Sequence, residues 1–277
     1  MGRKVLIIDV NACVGCHNCF IACKDEFVDH PWLPYSESQP DLGPSWISVR
    51  ERERGQFPKV KICYIPQLCM QCENPPCGKA AKNGAVVQRE DRIVIIDPRK
   101  SKGQKQIAQA CPNGSIYWNE ELGIPQKCTF CAHLLDQGWK EPRCVEVCPT
   151  QALRFGEKAE FSHMIAQTES LSPAYGRKTL VYYIGLPKSF VAGSVYCGDS
   201  RECLEGAKVS LFKRSGEKIL TTATNNYGDF EFEDVGVDST CSVKIEAEGY
   251  DAVTIEGIHT KKDVCLKDTY LKMKHGN

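Results

Sequence analysis

Apolar and β-branched residues in the first half of the chain occur in short runs that turn residues separate. The segment "AVVQREDRIVIID" contains two such runs around a charged turn, and "SIYWNEELGIPQK" repeats the arrangement around a turn at residues 121–123. Two single runs, "VLIIDV" and "ALRFG", lie near the start of the chain and at residues 152–156. Short runs of this kind predict β-strands, and the paired runs predict antiparallel ribbons.

From about Ser189 onward, the pattern changes to alternation of apolar and polar residues. The alternating segments are "SFVAGSVYCG", "GAKVSLFKR", "ILTTATNNYGDFEFEDV" and "STCSVKIEAEGYDAVTIEGI", with Gly, Asn and Asp turns between them. In "NNYGDFEF", Asn and Gly tolerate the positive φ that a tight turn between two strands requires. Short strands at this spacing predict an all-β antiparallel sandwich over residues 189–275.

Cysteine divides the chain at the same place. The chain has 17 cysteines in 277 residues, of which thirteen precede residue 150 and four follow residue 190. The N-terminal segment lacks a signal-type apolar region, a small-residue cleavage site and a twin-arginine pair, so we expect a cytoplasmic protein. Thiols stay reduced in the cytoplasm, so clustered cysteines indicate metal binding or redox chemistry rather than disulfides.

Net charge and hydropathy limit the partners that we expect. The 35 Lys and Arg residues balance the 35 Asp and Glu residues, which gives no reason to expect binding to nucleic acid or to an anionic membrane. No apolar run reaches the length of about 18 residues that a membrane span needs. We therefore expect no nucleic-acid partner and no membrane span.

The first cysteines form the motif C-x2-C-x2-C-x3-C in "CVGCHNCFIACK", at Cys13, Cys16, Cys19 and Cys23. Two residues between cysteines let the backbone curl around one corner of a cubane cluster, so that three thiolates reach three irons. The last spacing is one helical turn, so Cys23 lies further along a starting helix than the other three. In two-cluster ferredoxins this fourth cysteine binds the neighbouring cluster. Zinc bound by a C-x2-C pair is the alternative.

The complementary cysteines occur in "CTFCAHLLDQGWKEPRCVEVCPT", which keeps the ending C-x3-C-P although its second gap is long. Exchange of the fourth cysteine between the two motifs predicts two neighbouring 4Fe–4S sites. Site 1 consists of Cys13, Cys16, Cys19 and Cys148. Site 2 consists of Cys23, Cys128, Cys131 and Cys144.

The middle of the chain holds half of a second pair of motifs. "CMQCENPPC" supplies three cysteines, but the fourth position of this motif is Ala81, and "DPRKSKGQKQIAQACPNGS" retains only its final cysteine, Cys111. Under the same exchange rule, one site keeps all four ligands, and we name it site 3: Cys69, Cys72, Cys77 and Cys111. The other site, which we name the vacated site, has lost all four: Ala81, Ser101, Gln104 and Ile107. We therefore predict three 4Fe–4S clusters.

Several residues outside the motifs leave alternatives open. The insert at residues 24–62 is either a partner-contact surface or a loop that covers the cluster domain. Cys63 fits no motif and is predicted to be a buried strand thiol. His17 either donates a hydrogen bond to a cluster sulfur or faces solvent. Four lysines beside the cysteine loops would raise local potentials if close, but exposed lysines usually extend into solvent: Lys24, Lys79, Lys127 and Lys140.

The second half of the chain leaves fewer candidates. Asp229, Glu231 and Glu233 alternate along a predicted strand. They form either a cation site or the solvent-exposed face of that strand. The four late cysteines are expected to be thiols: Cys197, Cys203, Cys241 and Cys265. Residues 158–188 are predicted to be a linker, loosest at "SLSPAYGRK". Its aromatic end, "LVYYIGLP", is either a strand along the cluster domain or a contact with a partner.

The order and spacing of twelve motif cysteines resemble the iron–sulfur (beta) subunits of the dimethyl sulfoxide reductase family of molybdenum enzymes. The resemblance covers residues 1–157 and implies an α+β fold with a duplicated ferredoxin-like 4Fe–4S domain. Usual members carry four clusters, and this chain departs from them at the vacated site. In the second half, "GAKV" and "AEGY" resemble transthyretin-like or carboxypeptidase-regulatory-like domains. The predicted domains are therefore residues 1–157, the linker 158–188 and the sandwich 189–275.

The family resemblance also implies a partner and a reaction. The partner is a large catalytic subunit with a molybdenum bis-pterin guanine dinucleotide cofactor. The vacated site and the C-terminal domain together resemble the transhydroxylases of the family, which implies conversion of pyrogallol to phloroglucinol in that partner. This chain would be the non-catalytic small subunit and transfer electrons, and no catalytic residue is expected in it.

Three alternative functions remain open at this point. A structural subunit would use its clusters mainly to stabilise the complex, because transhydroxylation is redox-neutral overall. An electron-transfer subunit of another cytoplasmic molybdenum oxidoreductase would share the same cysteine motifs. A soluble multi-cluster ferredoxin would need neither the long insert nor the sandwich, so both features argue against it.

Overall fold

The structure is a computed structural model, and it describes residues 3–169, 171, 178–236 and 239–274. The chain divides into two compact units. The first unit comprises Met1–Arg52 and Cys63–Leu186, and the second comprises Glu53–Ile62 and Pro187–Asn277. In the described part of the chain, every helix is too short or too polar to cross a membrane.

The described residues of the first unit form short strands and short helices. Its strands are β1 (Lys4–Asp9), β2 (Ile47–Gln56), β3 (Lys59–Leu68), β4 (Val86–Gln88), β5 (Val94–Ile96), β6 (Tyr117–Asn119), β7 (Ile124–Gln126), β8 (Leu153–Glu157) and β9 (Val181–Ile184). The paired tips of β2 and β3 belong to the other unit. Its helices are α1 (Asn18–Phe27), α2 (Pro76–Ala80), α3 (Lys105–Gln109), α4 (Ala132–Asp136), α5 (Arg143–Glu146) and α6 (Ser162–Ile165), and a 3₁₀ turn spans Val10–Ala12.

Strand β1 lies in the middle of a three-stranded sheet with the order β8-β1-β9. Leu6 of β1 pairs with Phe155 on the antiparallel side and with Val181 on the parallel side. Residues 5–8 are all buried, so β1 is covered on both faces, which explains its continuous apolar run. The predicted strands in "VLIIDV" and "ALRFG" are confirmed. Because β9 pairs with β1, "LVYYIGLP" is a strand along this unit.

Two small ribbons carry the segments between the cysteine loops. Strands β4 and β5 are antiparallel, with Val86 opposite Ile96, and β6 and β7 are antiparallel, with Tyr117 opposite Gln126. The second ribbon turns where the Gly123 N–H donates to the carbonyl oxygen of Asn119 at 2.9 Å, and Gly123 has a φ of +65°. Both predicted ribbons are confirmed, including the turn.

The first helix brings two motif cysteines to the interior. Its buried residues, Cys19, Ala22, Cys23 and Phe27, recur at the spacing of one face of an α-helix. Cys19 and Cys23 are therefore one turn apart on the buried side of α1. Helix α1 packs against α5, the helix that contains Cys144.

The second unit contains two sheets. Its strands are β10 (Ser189–Cys197), β11 (Lys208–Lys213), β12 (Lys218–Ala223), β13 (Asp229–Val235), β14 (Thr240–Glu246), β15 (Val253–His259), β16 (Val264–Cys265) and β17 (Thr269–Leu271). One sheet has the order β13-β10-β16, with β17 also on β10, and the other has the order β12-β11-β14-β15. Val191 and Phe230 from the first sheet share one core with Leu211 and Val243 from the second. The second unit is therefore a β-sandwich.

The prediction of a purely antiparallel sandwich is wrong for one sheet. Strand β10 pairs with β13 in the antiparallel sense, but with β16 and β17 in the parallel sense. After β15 the chain leaves one sheet and returns to the other, where both late strands run in the same direction as β10. Alternation of side chains predicts a strand, but it does not specify the direction of the partner strand.

The structure groups two segments differently from the predicted boundaries. Residues 158–186 belong to the first unit because β9 is part of its central sheet. The hairpin tip, residues 53–62, belongs to the second unit, where Arg54 pairs with Asp263 at 2.7 Å and Lys59 pairs with Asp229 at 2.7 Å. Apart from its second and last residues, the stretch "SLSPAYGRK" lies outside the described residues.

Candidate metal centres

The three complete C-x2-C loops share one backbone conformation. The residue directly before the second cysteine has a positive φ in each: +69° at Gly15, +48° at Gln71 and +54° at Phe130. A residue other than glycine seldom adopts this conformation, so its occurrence at Gln71 and Phe130 indicates a shape that the loop requires. The turn that it produces lets the two flanking thiols approach one common point.

The four thiols predicted for site 1 lie near one another. Cys13, Cys16 and Cys19 occupy the segment from β1 into α1, and Cys148 follows α5. Burial raises the pKa of Cys19 to about 12, with contributions from the charges of Cys13, Cys16 and Cys148. Burial also raises the pKa of Cys13, and Cys148 and Cys16 add to that increase. Cys16 is exposed, so this group of thiols reaches the surface of the unit.

The four thiols predicted for site 2 are all buried. Burial raises the pKa of Cys128 to about 12, and Cys23 is the next contributor to that increase. Burial likewise raises the pKa of Cys144, with contributions from Cys131, Cys128 and Cys23. Residues from α1, from the loop before α4 and from α5 therefore place their thiols in one interior region.

Part of the insert covers Cys23. Gln39 donates from Nε2 to the Cys23 Sγ at 3.4 Å. Burial raises the pKa of Cys23, while hydrogen bonds from the Ser45 and Gln39 side chains and from the Trp46 backbone oppose that increase. Trp46 is itself buried against Phe27 of α1, with 4.3 Å between the ring centroids. This part of the insert therefore covers the cysteine-rich unit, as one of the two interpretations predicted.

The thiols predicted for site 3 line one small cavity of about 20 Å³, together with Val94 and Ile116. Burial raises the pKa of Cys77 to about 11, with contributions from Cys69, Cys111 and Cys72. The Ser115 N–H donates to the Cys111 Sγ at 3.4 Å. In the described ranges, no three His, Cys, Asp or Glu side chains are arranged to hold a single metal ion. A 4Fe–4S cluster is a wider group, with one thiolate for each iron.

Cys111 and Cys148 have the same local structure. Each cysteine N–H donates to the carbonyl oxygen three residues earlier, at 3.2 Å for Cys111 and 3.1 Å for Cys148. Each cysteine carbonyl accepts from the N–H three residues later, at 3.2 Å from Gly114 and 3.2 Å from Gln151. Gly114 and Gln151 both have a positive φ, +61° and +54°. Cys111 is thus the structural counterpart of the cysteine predicted to complete site 1.

The vacated site keeps the backbone of a cysteine motif. Gly103, between Ser101 and Gln104, has a φ of +77°, as the equivalent residues in the three complete loops do. Gly84, three residues after Ala81, has a φ of +63°, which matches Gly114 after Cys111. The turns that would present four thiols are therefore present, although the thiols are not.

Other side chains fill the interior of the vacated site. Gln104 donates from Nε2 to the Lys100 carbonyl oxygen at 2.7 Å, and its Oε1 accepts from the Lys82 N–H at 2.7 Å. Ile107 is fully buried in an apolar cluster that includes Val94 and Ile116. Gln104, whose amide binds the backbone, and Ile107, whose side chain is apolar, thus occupy positions where the family motif has ligands.

Lys127 is a buried cation beside the cysteine sites, so of the two alternatives left open for the four lysines it fits the one close to the sites. The residue is 2% exposed, and its Nζ donates to the carbonyl oxygens of Val94 and Cys128, the second at 3.0 Å. Its charge acts to lower the pKa of three thiols at sites 2 and 3 against the larger effect of burial: Cys77, Cys111 and Cys128. Lys127 directly follows β7, whose three residues are all buried.

The other lysines and His17 differ from Lys127. Lys79 and Lys140 are exposed, as the solvent-facing interpretation predicted. Lys24 is half-buried, and its Nζ donates to the Pro40 carbonyl oxygen at 2.5 Å. His17 is exposed and begins α1 with a left-handed backbone, so its structure agrees with the solvent-facing interpretation.

Cys63 and the late cysteines are thiols in the structure. Cys63 lies on β3 as predicted, but it is half-buried rather than buried, and its Sγ donates to the Arg52 carbonyl oxygen at 3.5 Å. Cys197 and Cys241 are buried, Cys265 is half-buried, and Cys203 is exposed. These positions lie outside the three groups of motif thiols.

The acidic row on β13 binds lysines of the hairpin tip. Asp229 pairs with Lys59 at 2.7 Å, and Lys61 pairs with both Glu231 and Glu233. Burial acts to raise the pKa of Asp229, but hydrogen bonds from Lys59 and Ser194 outweigh it and leave the pKa lowered. Neither a cation site nor a purely solvent-facing row describes these acids, because both lysines belong to a distant segment of the sequence.

Comparison with known proteins decides the family of the chain. It is 41% identical over 264 residues to the pyrogallol hydroxytransferase small subunit of Pelobacter acidigallici, covering 90% of this chain and 92% of that protein. The protein belongs to the iron–sulfur subunits of the dimethyl sulfoxide reductase family. This confirms the family resemblance that the cysteine motifs predicted.

More distant members of the same family match a smaller share of the chain. A tetrathionate reductase subunit of Salmonella typhimurium is 30% identical over 197 residues, covering 68% of this chain and 75% of that protein. A component of the anaerobic dimethyl sulfoxide reductase of Escherichia coli is 32% identical over 167 residues, covering 60% of this chain and 79% of that protein. These matches cover less of the chain than the transhydroxylase subunit does.

Family models assign a domain type to each half of the chain. The model of the 4Fe–4S dicluster domain matches residues 60–158, and that of the carboxypeptidase regulatory-like domain matches residues 191–264. Both assignments agree with the sequence prediction at this level. Among solved structures, the Bacillus anthracis TIE protein matches 34% of this chain and 18% of its own, with 16% identity and a TM-score of 0.28, too low to assign a fold.

Proposed function

We propose that this chain holds three 4Fe–4S clusters and exchanges electrons with a molybdopterin-containing catalytic subunit. The observation that carries the proposal is the convergence of twelve cysteines, distant in sequence, into three groups of four thiols. In the proposal each group binds one cluster, with the ligands predicted for sites 1, 2 and 3. The 41% identity to a pyrogallol hydroxytransferase small subunit supports conversion of pyrogallol to phloroglucinol as the reaction of the complex.

The residues around the thiols suit an anionic group. Buried thiols are neutral on their own, and coordination to iron removes the proton. Donors point at the sulfurs from the backbone and from side chains, as at Ser115 toward Cys111 and at Gln39 toward Cys23. The ammonium of Lys127 is buried beside two of the groups. When bound, a 4Fe–4S cluster would supply one-electron storage at each position.

We also infer that the first unit is a duplicated ferredoxin-like domain. The repeated left-handed residue in the C-x2-C loops and the matching turns at Cys111 and Cys148 support this inference. In the second unit, the two-sheet topology is consistent with the transthyretin-like fold that the sequence suggested.

The second candidate is a structural subunit whose clusters mainly stabilise the complex. The packed interior of the vacated site favours this candidate, because a family member with four clusters would have a further redox centre there. Such a subunit would support a redox-neutral reaction without carrying electrons at each turnover.

The experiment that tests the proposal uses the complex of this chain with its catalytic subunit, prepared anaerobically as wild type, Cys77→Ser and the matched control Cys63→Ser. Electron transfer predicts that the Cys77→Ser complex stays assembled, while a reductant that reduces the clusters reaches the partner's molybdenum more slowly. Molybdenum EPR signals after rapid mixing measure that rate, and gel filtration measures assembly. Dissociation of Cys77→Ser without a slower rate in the remaining complex would support the structural candidate instead.

The same preparations test the reaction. Formation of phloroglucinol from pyrogallol by the wild-type complex is the expected result. A complex that holds clusters but converts a different substrate would overturn the assigned reaction and leave the electron-transfer role in place.

A further inference from the structure

Lys127 places a positive charge in the interior between sites 2 and 3. The residue directly precedes Cys128 of site 2, and its Nζ donates to the carbonyl oxygens of Cys128 and Val94. Val94 also lines the cavity that the thiols of site 3 share. The ammonium therefore lies behind the wall of one site and next to a ligand of the other.

Gln71 holds the same two backbone segments together. Its side chain is fully buried, its Nε2 donates to the Cys128 carbonyl oxygen at 2.8 Å, and its Oε1 accepts from the Val94 N–H at 2.8 Å. Gln71 belongs to the C-x2-C loop of site 3, between Cys69 and Cys72. Lys127 is thus fixed within a buried hydrogen-bond network that joins both sites.

The charge of Lys127 needs an anion nearby. Within the described residues, both hydrogen-bond acceptors of its Nζ are backbone carbonyl oxygens rather than carboxylates. A buried ammonium is costly unless a negative charge compensates it. A 4Fe–4S cluster with four thiolates is anionic in both of its common redox states, so clusters at sites 2 and 3 would supply that compensation.

We propose that Lys127 raises the reduction potentials of the clusters at sites 2 and 3 together and leaves site 1 nearly unaffected. The inference rests on the proposed function, because it requires those clusters. Reduction adds one electron and makes a cluster more negative, so a fixed neighbouring cation stabilises the reduced form. Neither residue that accepts from the Lys127 Nζ belongs to site 1, because Val94 lines the cavity of site 3 and Cys128 is a thiol of site 2.

The test measures each potential in the loaded wild-type chain, in Lys127→Gln and in Lys127→Arg. The Gln variant keeps hydrogen-bond donors but removes the charge, and the Arg variant keeps the charge. EPR-monitored redox titration follows the clusters, and Cys111→Ala identifies the signals of site 3. We expect Lys127→Gln to lower the potentials of sites 2 and 3 without moving site 1, and Lys127→Arg to stay near the wild type.

Each other outcome has a defined meaning. Unchanged potentials in Lys127→Gln, or an equal decrease in Lys127→Arg, would overturn the role of the charge. EPR reads only assembled clusters, so incompletely loaded protein can still be titrated. If the clusters at sites 2 and 3 fail to assemble in Lys127→Gln but assemble in Lys127→Arg, the result would support the role of the charge. Failure of both variants to assemble these clusters would overturn that role. A wild-type chain without iron would instead overturn the proposed function.

Discussion

Site 3 and the vacated site have the same backbone turns and different interiors. Gln71 in the loop of site 3 and Gly103 in the loop of the vacated site both have a positive φ, and Gly114 and Gly84 match in the same way. Site 3 places four thiols around one cavity, whereas the vacated site contains a hydrogen-bonded glutamine and a buried isoleucine. The comparison shows that the loop shape can persist without thiols when other side chains satisfy and pack the interior.

At the vacated site, the side chains that replace the ligands supply both hydrogen bonds and apolar packing. Gln104 binds backbone groups of Lys82 and Lys100 that would otherwise lack these partners. Ile107 supplies apolar contacts in a cluster that also includes Cys77 of site 3. Site 3 and the vacated site therefore share part of one core. Variants that remove thiols from site 3, add thiols to the vacated site or truncate its side chains test which residues bind a cluster and which stabilise the unit.

The largest effect is expected from removing the ligand that completes site 3. Cys111→Ala should lose the cluster there and lower the iron content of the reconstituted chain by about four atoms, one cubane. Iron and sulfide analysis measures the loss. Cys63→Ser is the matched control and should keep all its iron, because Cys63 lies on β3 outside the thiol groups. An unchanged iron content in Cys111→Ala would show that Cys111 is not a ligand.

The reverse exchange should create a cluster. The variant A81C/S101C/Q104C/I107C places four thiols on turns that still have the motif conformation, so we expect about four additional irons. The variant without A81C serves as its control and should bind fewer. A folded quadruple variant with the iron content of the wild type would contradict the view that the vacated site lacks only its ligands.

Ile107→Ala should destabilise the first unit without removing a cluster. Ile107 is fully buried, and truncation of such a side chain costs about 2–5 kcal/mol. The midpoint of thermal unfolding should fall, and iron per chain should not. Val87→Ala is the control on the nearby ribbon, where the side chain is exposed and the expected change is below about 0.5 kcal/mol. Loss of iron in Ile107→Ala would show that the vacated site also supports site 3.

Gln104→Ala should have a smaller effect of the same kind. It leaves partly buried backbone groups of Lys82 and Lys100 without their side-chain partner, at a cost of about 1 kcal/mol for each hydrogen bond lost. Faster hydrogen exchange of the Lys82 amide would locate the change. Gln109→Ala, at an exposed position of α3, is the control and should exchange as the wild type does. Equal exchange rates in both variants would contradict the assigned hydrogen bonds.

The sequence predicted the features that local patterns determine. The ribbons β4–β5 and β6–β7 follow from short apolar runs around turns, and the grouping of thiols follows from motif spacing and the exchange of fourth cysteines. The ligand sets themselves stay a prediction until iron is measured. The β9 strand was one of two predicted alternatives, and its pairing with β1 depends on contacts between residues distant in sequence.

The features that the sequence did not predict depend on tertiary contacts. Lysine side chains are usually exposed, and the burial of Lys127 follows from packing between two cysteine loops. The row at Asp229 pairs with Lys59 across a long sequence separation, so its partner could not be inferred from strand alternation. In the sequence, Gln104 is only a motif position without a cysteine. Its hydrogen bonds in the structure show that its side chain fills the vacated site.

The count of iron and acid-labile sulfide in the anaerobically prepared wild-type chain, with a zinc assay beside it, tests the central claim most directly. Three cubanes predict about twelve of each and no stoichiometric zinc. About eight would mean that site 3 is empty and that Cys111 is not its completing ligand. About sixteen would mean that ligands other than cysteine hold a fourth cluster, and either result would contradict the contrast between site 3 and the vacated site.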